Sequence, residues 1–131
     1  CRSRQNAPLG APCDTLLDER CPRGTLILIF VMKRVAYTVV LTERDKKKVV
    51  FDTHRGRVVY FIVQYYSLIG DRWRTILRFD TAHGYAHRHT FHRDGGRTYT
   101  VNLPGEYGIL LTTAIEFVTE HFEDIKRNYL H

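Results

Sequence analysis

The body of this 131-residue chain contains no cysteine. Its three cysteines, Cys1, Cys13 and Cys21, lie in the first 21 residues and form no Cys-x-x-Cys pair, which excludes a disulfide scaffold and a zinc ribbon. Long hydrophobic runs are also missing. The most apolar run, Leu26–Met32, has seven residues, whereas a spanning helix needs about 20. We therefore predict a cytoplasmic protein with no membrane partner, in which this run forms a buried strand.

Proline is scarce outside the beginning of the chain. Three of the four prolines fall within residues 1–24, together with scattered charges and no lasting periodicity. This composition predicts a flexible N-terminal tail over residues 1–24. Residues 25–131 are enough for a single domain and too few for two, which excludes large multidomain enzymes.

Alternating β-branched and aromatic residues predict an antiparallel meander of five to six strands, and hence an α+β domain. The predicted strands are Arg34–Glu43, Val49–Asp52, Val58–Leu68, Arg72–Asp80, Ala86–His92 and Arg97–Leu103. The Lys46–Lys48 cluster predicts a solvated turn, and Arg93–Gly96 predicts a tight hairpin turn.

The segment Arg72–Asp80 has a period of two. One set of its residues is Trp73, Thr75, Leu77 and Phe79, and the other set is Arg72, Arg74, Ile76 and Arg78. We therefore predict a strand with one basic face.

The periodicity changes to about 3.6 after Pro104 and Gly105. This predicts one C-terminal amphipathic helix of roughly 20 residues, packed on the sheet. Asn102 is the predicted cap, with Pro104 in the first turn.

The formal net charge of +6 is unevenly distributed. Residues 25–105 carry 14 Lys+Arg and 6 Asp+Glu, whereas residues 106–131 carry 2 and 5. A basic sheet favours an acidic partner such as nucleic acid. Its aromatic residues either stack on bases or form core and cross-strand pairs: Tyr60, Tyr65, Tyr66, Trp73 and Tyr99.

Four of the seven histidines lie within ten residues: His83, His87, His89 and His92. In a strand over Ala86–His92, His87 and His89 point to one face with Phe91, while Arg88, Thr90 and His92 point to the other. His83 lies in the preceding loop, where Gly84 permits a bend towards Asp80.

One interpretation of this segment is metal-independent cleavage of RNA. One imidazole would take the proton of a ribose 2′-hydroxyl and a second would protonate the leaving oxygen. The predicted catalytic residues are Asp80, His83, His87 and His89. The predicted substrate-binding residues, which would hold phosphate, are Arg78, Arg88, His92 and Arg93.

Three other interpretations stay open. His87 and His89, with His83 or His92, could ligate zinc, iron or nickel. The histidines could be structural instead. The basic sheet could also be a non-enzymatic module that binds nucleic acid or an acidic protein.

An Arg-aromatic-Asp sequence followed by a His-rich loop and a His-x-His pair resembles the TumE-like toxins of prokaryotic toxin–antitoxin systems. The matching residues are Arg78, Phe79, Asp80, His83, His87 and His89, and the order of elements matches over roughly residues 34–130. The resemblance implies a small cytoplasmic toxin that acts on RNA without a cofactor. It also implies a helix-turn-helix antitoxin as partner, and a homodimer is left open.

Overall fold

The computed structural model describes residues 32–100 and 103–131. Within them the chain forms a six-stranded antiparallel sheet with the strands in sequential order, followed by one helix. The elements are β1 (Met32–Thr42), β2 (Asp45–His54), β3 (Arg57–Ile69), β4 (Arg72–Asp80), β5 (His87–Phe91), β6 (Arg97–Thr100) and α1 (Tyr107–Leu130). The predicted α+β meander with a C-terminal helix is confirmed.

Three predictions lie outside the described residues. They concern the tail over residues 1–24, the strand before Met32, and Asn102 as the helix cap. The helix begins at Tyr107 with Glu106 as its N-cap residue, so Pro104 precedes the first turn rather than lying in it.

The Lys46–Lys48 cluster is not a turn. The chain turns at Glu43–Arg44, and all three lysines belong to β2. Lys47 pairs with Tyr65 of β3 and is buried, and its Nζ donates a hydrogen bond to Thr119 Oγ1 of α1 at 2.6 Å. The long aliphatic stem of Lys47 can cross the core while its ammonium reaches an acceptor. The residue can therefore be buried in a paired strand in spite of its charge.

β4 does not have one basic face, because a bulge interrupts its alternation. Tyr65 pairs with Leu77 and Tyr66 pairs with Thr75, which leaves Ile76 as an extra residue in β4. An inserted residue reverses the side of the sheet to which each later side chain of the strand points. Arg78 therefore shares a face with Trp73 and Thr75, not with Arg72 and Arg74.

The helix covers one face of the sheet and packs mainly against the central strands. It buries Leu111, Ala114 and Val118. Edge-to-face aromatic pairs join it to β3 and β4: Phe61 with Tyr107, Tyr65 with Phe122, and Phe79 with Phe117. Tyr65 is thus a core residue and not a surface stacking platform. In the part of the chain that the structure describes, no helix is long and apolar enough to cross a membrane.

We call the sheet face opposite α1 the open face. Cross-strand partners point to the same side of a sheet. By this register the cations of the open face include Arg34, Lys46, Lys48, Arg78 and Arg97. Its partly or largely exposed aromatic side chains are Tyr60, Tyr66, Trp73, Phe91 and Tyr99.

Candidate functional site

The carboxylate of β4 meets the histidine pair of β5 on the open face. Asp80 pairs with His87 and Arg78 pairs with His89 across the two strands, and Tyr99 of β6 lies opposite His89. Because β5 alternates, His87 and His89 both point to this face. We call Asp80, His87 and His89 the Asp–His cluster.

Asp80 is the centre of the Asp–His cluster and is 4% exposed. The Ala82 amide donates to its Oδ1 at 3.0 Å, which ties the start of the following loop to the strand end. Arg78 Nε lies 3.0 Å from Oδ2, and His87 Nε2 lies 2.7 Å from Oδ1. The carboxylate therefore has positive or proton-bearing groups close to both oxygens.

The protonation of His87 is set by the backbone. Its Nδ1 lies 3.1 Å from the carbonyl oxygen of Tyr85, which can only accept, so Nδ1 carries a proton. In the neutral ring the Nε2 lone pair then faces the Asp–His cluster. His87 is 1% exposed, and Nε2 has no aligned hydrogen bond to any described residue in spite of its short distance to Asp80.

His89 completes the Asp–His cluster at 6% exposure. Its Nε2 lies 4.0 Å from Asp80 Oδ2, and its buried Nδ1 has no hydrogen-bond partner among the described residues. Burial lowers the pKa of His89, and the positive charge of Arg78 lowers it further. This shift favours the neutral imidazole of His89.

Aromatic rings surround the two histidines. His83 stacks on His87 with ring centroids 5.5 Å apart, and Tyr85 lies 5.4 Å from the same ring. Tyr99 contacts both histidines, with centroid distances of 5.1 Å to His87 and 4.5 Å to His89. These rings separate the Asp–His cluster from solvent and give it a low-dielectric surrounding.

The structure brings together five of the eight residues predicted for the site: Arg78, Asp80, His83, His87 and His89. Of these, His83 is exposed.

Arg88, His92 and Arg93 lie on the helix side instead. Arg88 is placed over the Phe117 ring at 5.9 Å, His92 contacts Thr98 at 2.7 Å, and Arg93 donates to Leu130 O at 2.9 Å. Alternation along β5 places Arg88 on the helix side, and His92 and Arg93 follow in the turn after β5, so these three cannot share one phosphate with the Asp–His cluster.

Two contributors were missed from the sequence. Tyr85 fixes the His87 tautomer through its backbone carbonyl, which no side-chain pattern reveals. Lys46 and Lys48 of β2 belong to the open face, where Lys46 Nζ lies 4.3 Å from the Trp73 ring centroid. Lys46 and Lys48 are two residues apart, so in a strand they point to the same face. The sequence could have indicated their position if the cluster had been assigned to a strand.

A family model described as a domain of unknown function, DUF7718, matches residues 32–131 of the chain. No curated protein matches the chain. No solved structure matches it either.

Proposed function

Because the chain belongs to the DUF7718 family, whose description names no activity, we propose a function from the open face itself: the protein binds single-stranded RNA there. The observation that carries this proposal is the pairing of cations with accessible aromatic rings on that face. The ammonium of Lys46 lies 4.3 Å from the Trp73 ring centroid, and the Arg34 guanidinium lies 5.6 Å from that of Tyr60.

The charge of the open face supports a polyanionic partner. Its acids Asp52 and Asp80 each contact an arginine, at 2.7 Å and 3.0 Å. Lys46, Lys48 and Arg97 form no ion pair within residues 32–100 and 103–131, so their charges stay available to phosphates.

The accessible aromatic side chains favour a single-stranded partner with unpaired bases over a duplex. Trp73 and Tyr99 are 41% and 43% exposed. A ring on a sheet surface stacks on a base whose own faces are free, as in single strands. The choice of RNA over DNA rests on the resemblance of Arg78–His89 to TumE-like toxins.

Cleavage of that RNA stays a prediction. His87 and His89 lie beneath His83 and Tyr99, and a general acid or base must come within hydrogen-bond reach of its substrate. Binding is therefore the function that the geometry supports better. The toxin role, the antitoxin partner, the homodimer and the cytoplasmic location likewise stay predictions.

The test is fluorescence anisotropy with a short labelled RNA that cannot pair with itself. We expect Trp73→Ala to weaken binding about tenfold, because one stacked base contributes about 1–3 kcal/mol. Tyr37→Ala is the matched control, since Tyr37 is 40% exposed but lies on the helix side of β1 by alternation from Arg34. Among the cations, Lys48→Ala is the test variant on the open face, and Arg74→Ala is its control on the helix side.

Equal affinity of Trp73→Ala and the unaltered protein would refute RNA binding by the open face. So would a loss of the same size in Trp73→Ala and Tyr37→Ala. DNA of the same sequence and duplex RNA serve as competitors, and tighter binding of either overturns the choice of single-stranded RNA. The same RNA on a denaturing gel shows whether it is cleaved.

A further inference from the structure

We propose that the Asp–His cluster binds one divalent transition-metal ion of the zinc class. Asp80, His87 and His89 each offer one donor atom, and these atoms all lie within 4.8 Å of one another. Two imidazole nitrogens and a carboxylate oxygen form a donor set that suits zinc, iron(II) or nickel and disfavours magnesium and calcium. This inference is independent of RNA binding.

The hydrogen-bond pattern points to a ligand between the side chains. His87 Nδ1 donates to Tyr85 O, so in the neutral ring Nε2 presents a lone pair to Asp80 Oδ1, which is itself an acceptor. Two acceptors 2.7 Å apart repel each other unless a proton or a metal cation lies beside both. The buried Nε2 atom makes no aligned hydrogen bond with a described residue, so it is open to a ligand.

The distances are close to those of a bound site. Donor atoms on one zinc ion lie about 3 Å apart, because each bond is about 2 Å long. His89 Nε2 lies 4.0 Å from Asp80 Oδ2 and the three donors lie within 4.8 Å of one another, so side-chain movements of about 1–2 Å would complete the set. No hydrogen bond to a described residue fixes its Nδ1, so the ring is free of a competing partner on that side.

The surroundings resemble the outer shell of a metal site. The second ring nitrogen of a ligating histidine donates a hydrogen bond to a carbonyl or carboxylate oxygen, as His87 Nδ1 does to Tyr85 O. Asp80 ends β4 and His87 begins β5, and the pairing of these strands fixes the backbone positions of all three donors. Arg78 opposes a cation most directly, because its Nε lies 3.0 Å from Asp80 Oδ2.

The experiment uses the full chain with Cys1, Cys13 and Cys21 replaced by serine, so that thiols cannot bind the metal. After treatment with chelator, zinc chloride is titrated by calorimetry, and thermal unfolding is followed with and without zinc. We expect one zinc per chain and a rise in Tm of about 5 °C or more. His87→Ala and His89→Ala should lose both, whereas the exposed control His92→Ala should keep both.

The variant Arg78→Gln tests whether the Asp–His cluster binds a metal ion or has only a structural role. Loss of its positive charge should tighten zinc binding several-fold, although it removes an ion pair from Asp80. Cobalt(II) serves as a spectroscopic probe, with visible bands of nitrogen and oxygen ligation expected in the parent and in His92→Ala.

The proposal is overturned if the parent binds no zinc or cobalt, or if binding survives in the folded double variant of His87 and His89. If circular dichroism shows that His87→Ala does not fold, two other measurements test the proposal. They are the cobalt spectrum of the parent and the zinc affinity of Arg78→Gln. Unchanged or weaker zinc binding in Arg78→Gln contradicts ligation next to that arginine.

Discussion

The sheet buries two carboxylates, and they are satisfied to different degrees. Asp45 accepts three side-chain hydrogen bonds and lies near one ammonium; the donors are Thr42, Tyr65 and Ser67, and the ammonium is that of Lys126. Asp80 has its Arg78 and His87 neighbours within 3.0 Å but no aligned side-chain hydrogen bond from their buried nitrogens. The hydroxyl donors around Asp45 stabilise the fold, whereas Asp80, which has fewer aligned side-chain donors, is a candidate ligand.

We predict that Asp45→Asn lowers the free energy of unfolding by about 2–3 kcal/mol near neutral pH. Burial by itself raises the pKa of Asp45, but the hydrogen bonds and Lys126 outweigh it and the pKa is lowered. The stabilisation is therefore fully present above the unfolded value of about 3.9 and is lost as pH falls through the folded pKa.

Urea unfolding at about pH 7 and about pH 3 measures this difference. The gap between Asp45→Asn and the parent should narrow at the lower pH. The exposed Asp71→Asn is the control and should change little at either pH. A gap of the same size at both values contradicts the assigned role of Asp45.

At the scale of elements, the Arg93–Gly96 turn followed from the sequence, but the turn at Glu43–Arg44 and the irregularities of the strands did not. Gly95 has a φ of 95° in the predicted Arg93–Gly96 turn, a conformation that glycine adopts without strain. The bulge at Ile76 has no such signal, because Ile76 and Leu77 are ordinary strand residues. Only pairing with β3 shows which of them is the extra residue.

The turn between β2 and β3 gives opposite predictions at adjacent positions. Arg55 and Gly56 both have positive φ, 54° and 78°, as in a two-residue hairpin that prefers Asn-Gly. Arg55→Asn should raise the free energy of unfolding by about 0.5–1 kcal/mol, whereas Gly56→Ala should lower it by about 1–2 kcal/mol.

An added Cβ at Gly56 meets no atom within 4 Å, so any loss there comes from the backbone alone. Chemical denaturation of both variants measures the two changes. If Gly56→Ala is as stable as the parent, the left-handed conformation of this turn is not required.

At the scale of the whole molecule, charge is segregated between the sheet and the helix. Residues 25–105 have a net charge of +8, and residues 106–131 have −3. This separation would orient a polyanion towards the sheet during encounter.

We predict that RNA affinity falls with salt at a log–log slope between about −2 and −3.5, as expected for three to five phosphate contacts by a single strand. Lys48→Gln should make the slope shallower by about 0.7. The helix variants Glu120→Gln and Glu123→Gln should leave it unchanged. A slope near zero in the parent excludes phosphate contacts as the source of affinity.

The sequence alone determined the order of the strands, the closing helix and the shared face of His87 and His89, because alternation and turn chemistry are local. It did not show which face of each strand the helix covers. That was decided by pairing between strands, which buried Lys47, turned β4 over at Ile76 and placed Asp80 against His87. Alternation from His87 placed Arg88 and His92 on the helix side, as the sequence predicts, and the turn after β5 brought Arg93 to the helix. A strand specifies only the relative sides of its own residues, so the composition of the Asp–His cluster depended on the assembled sheet.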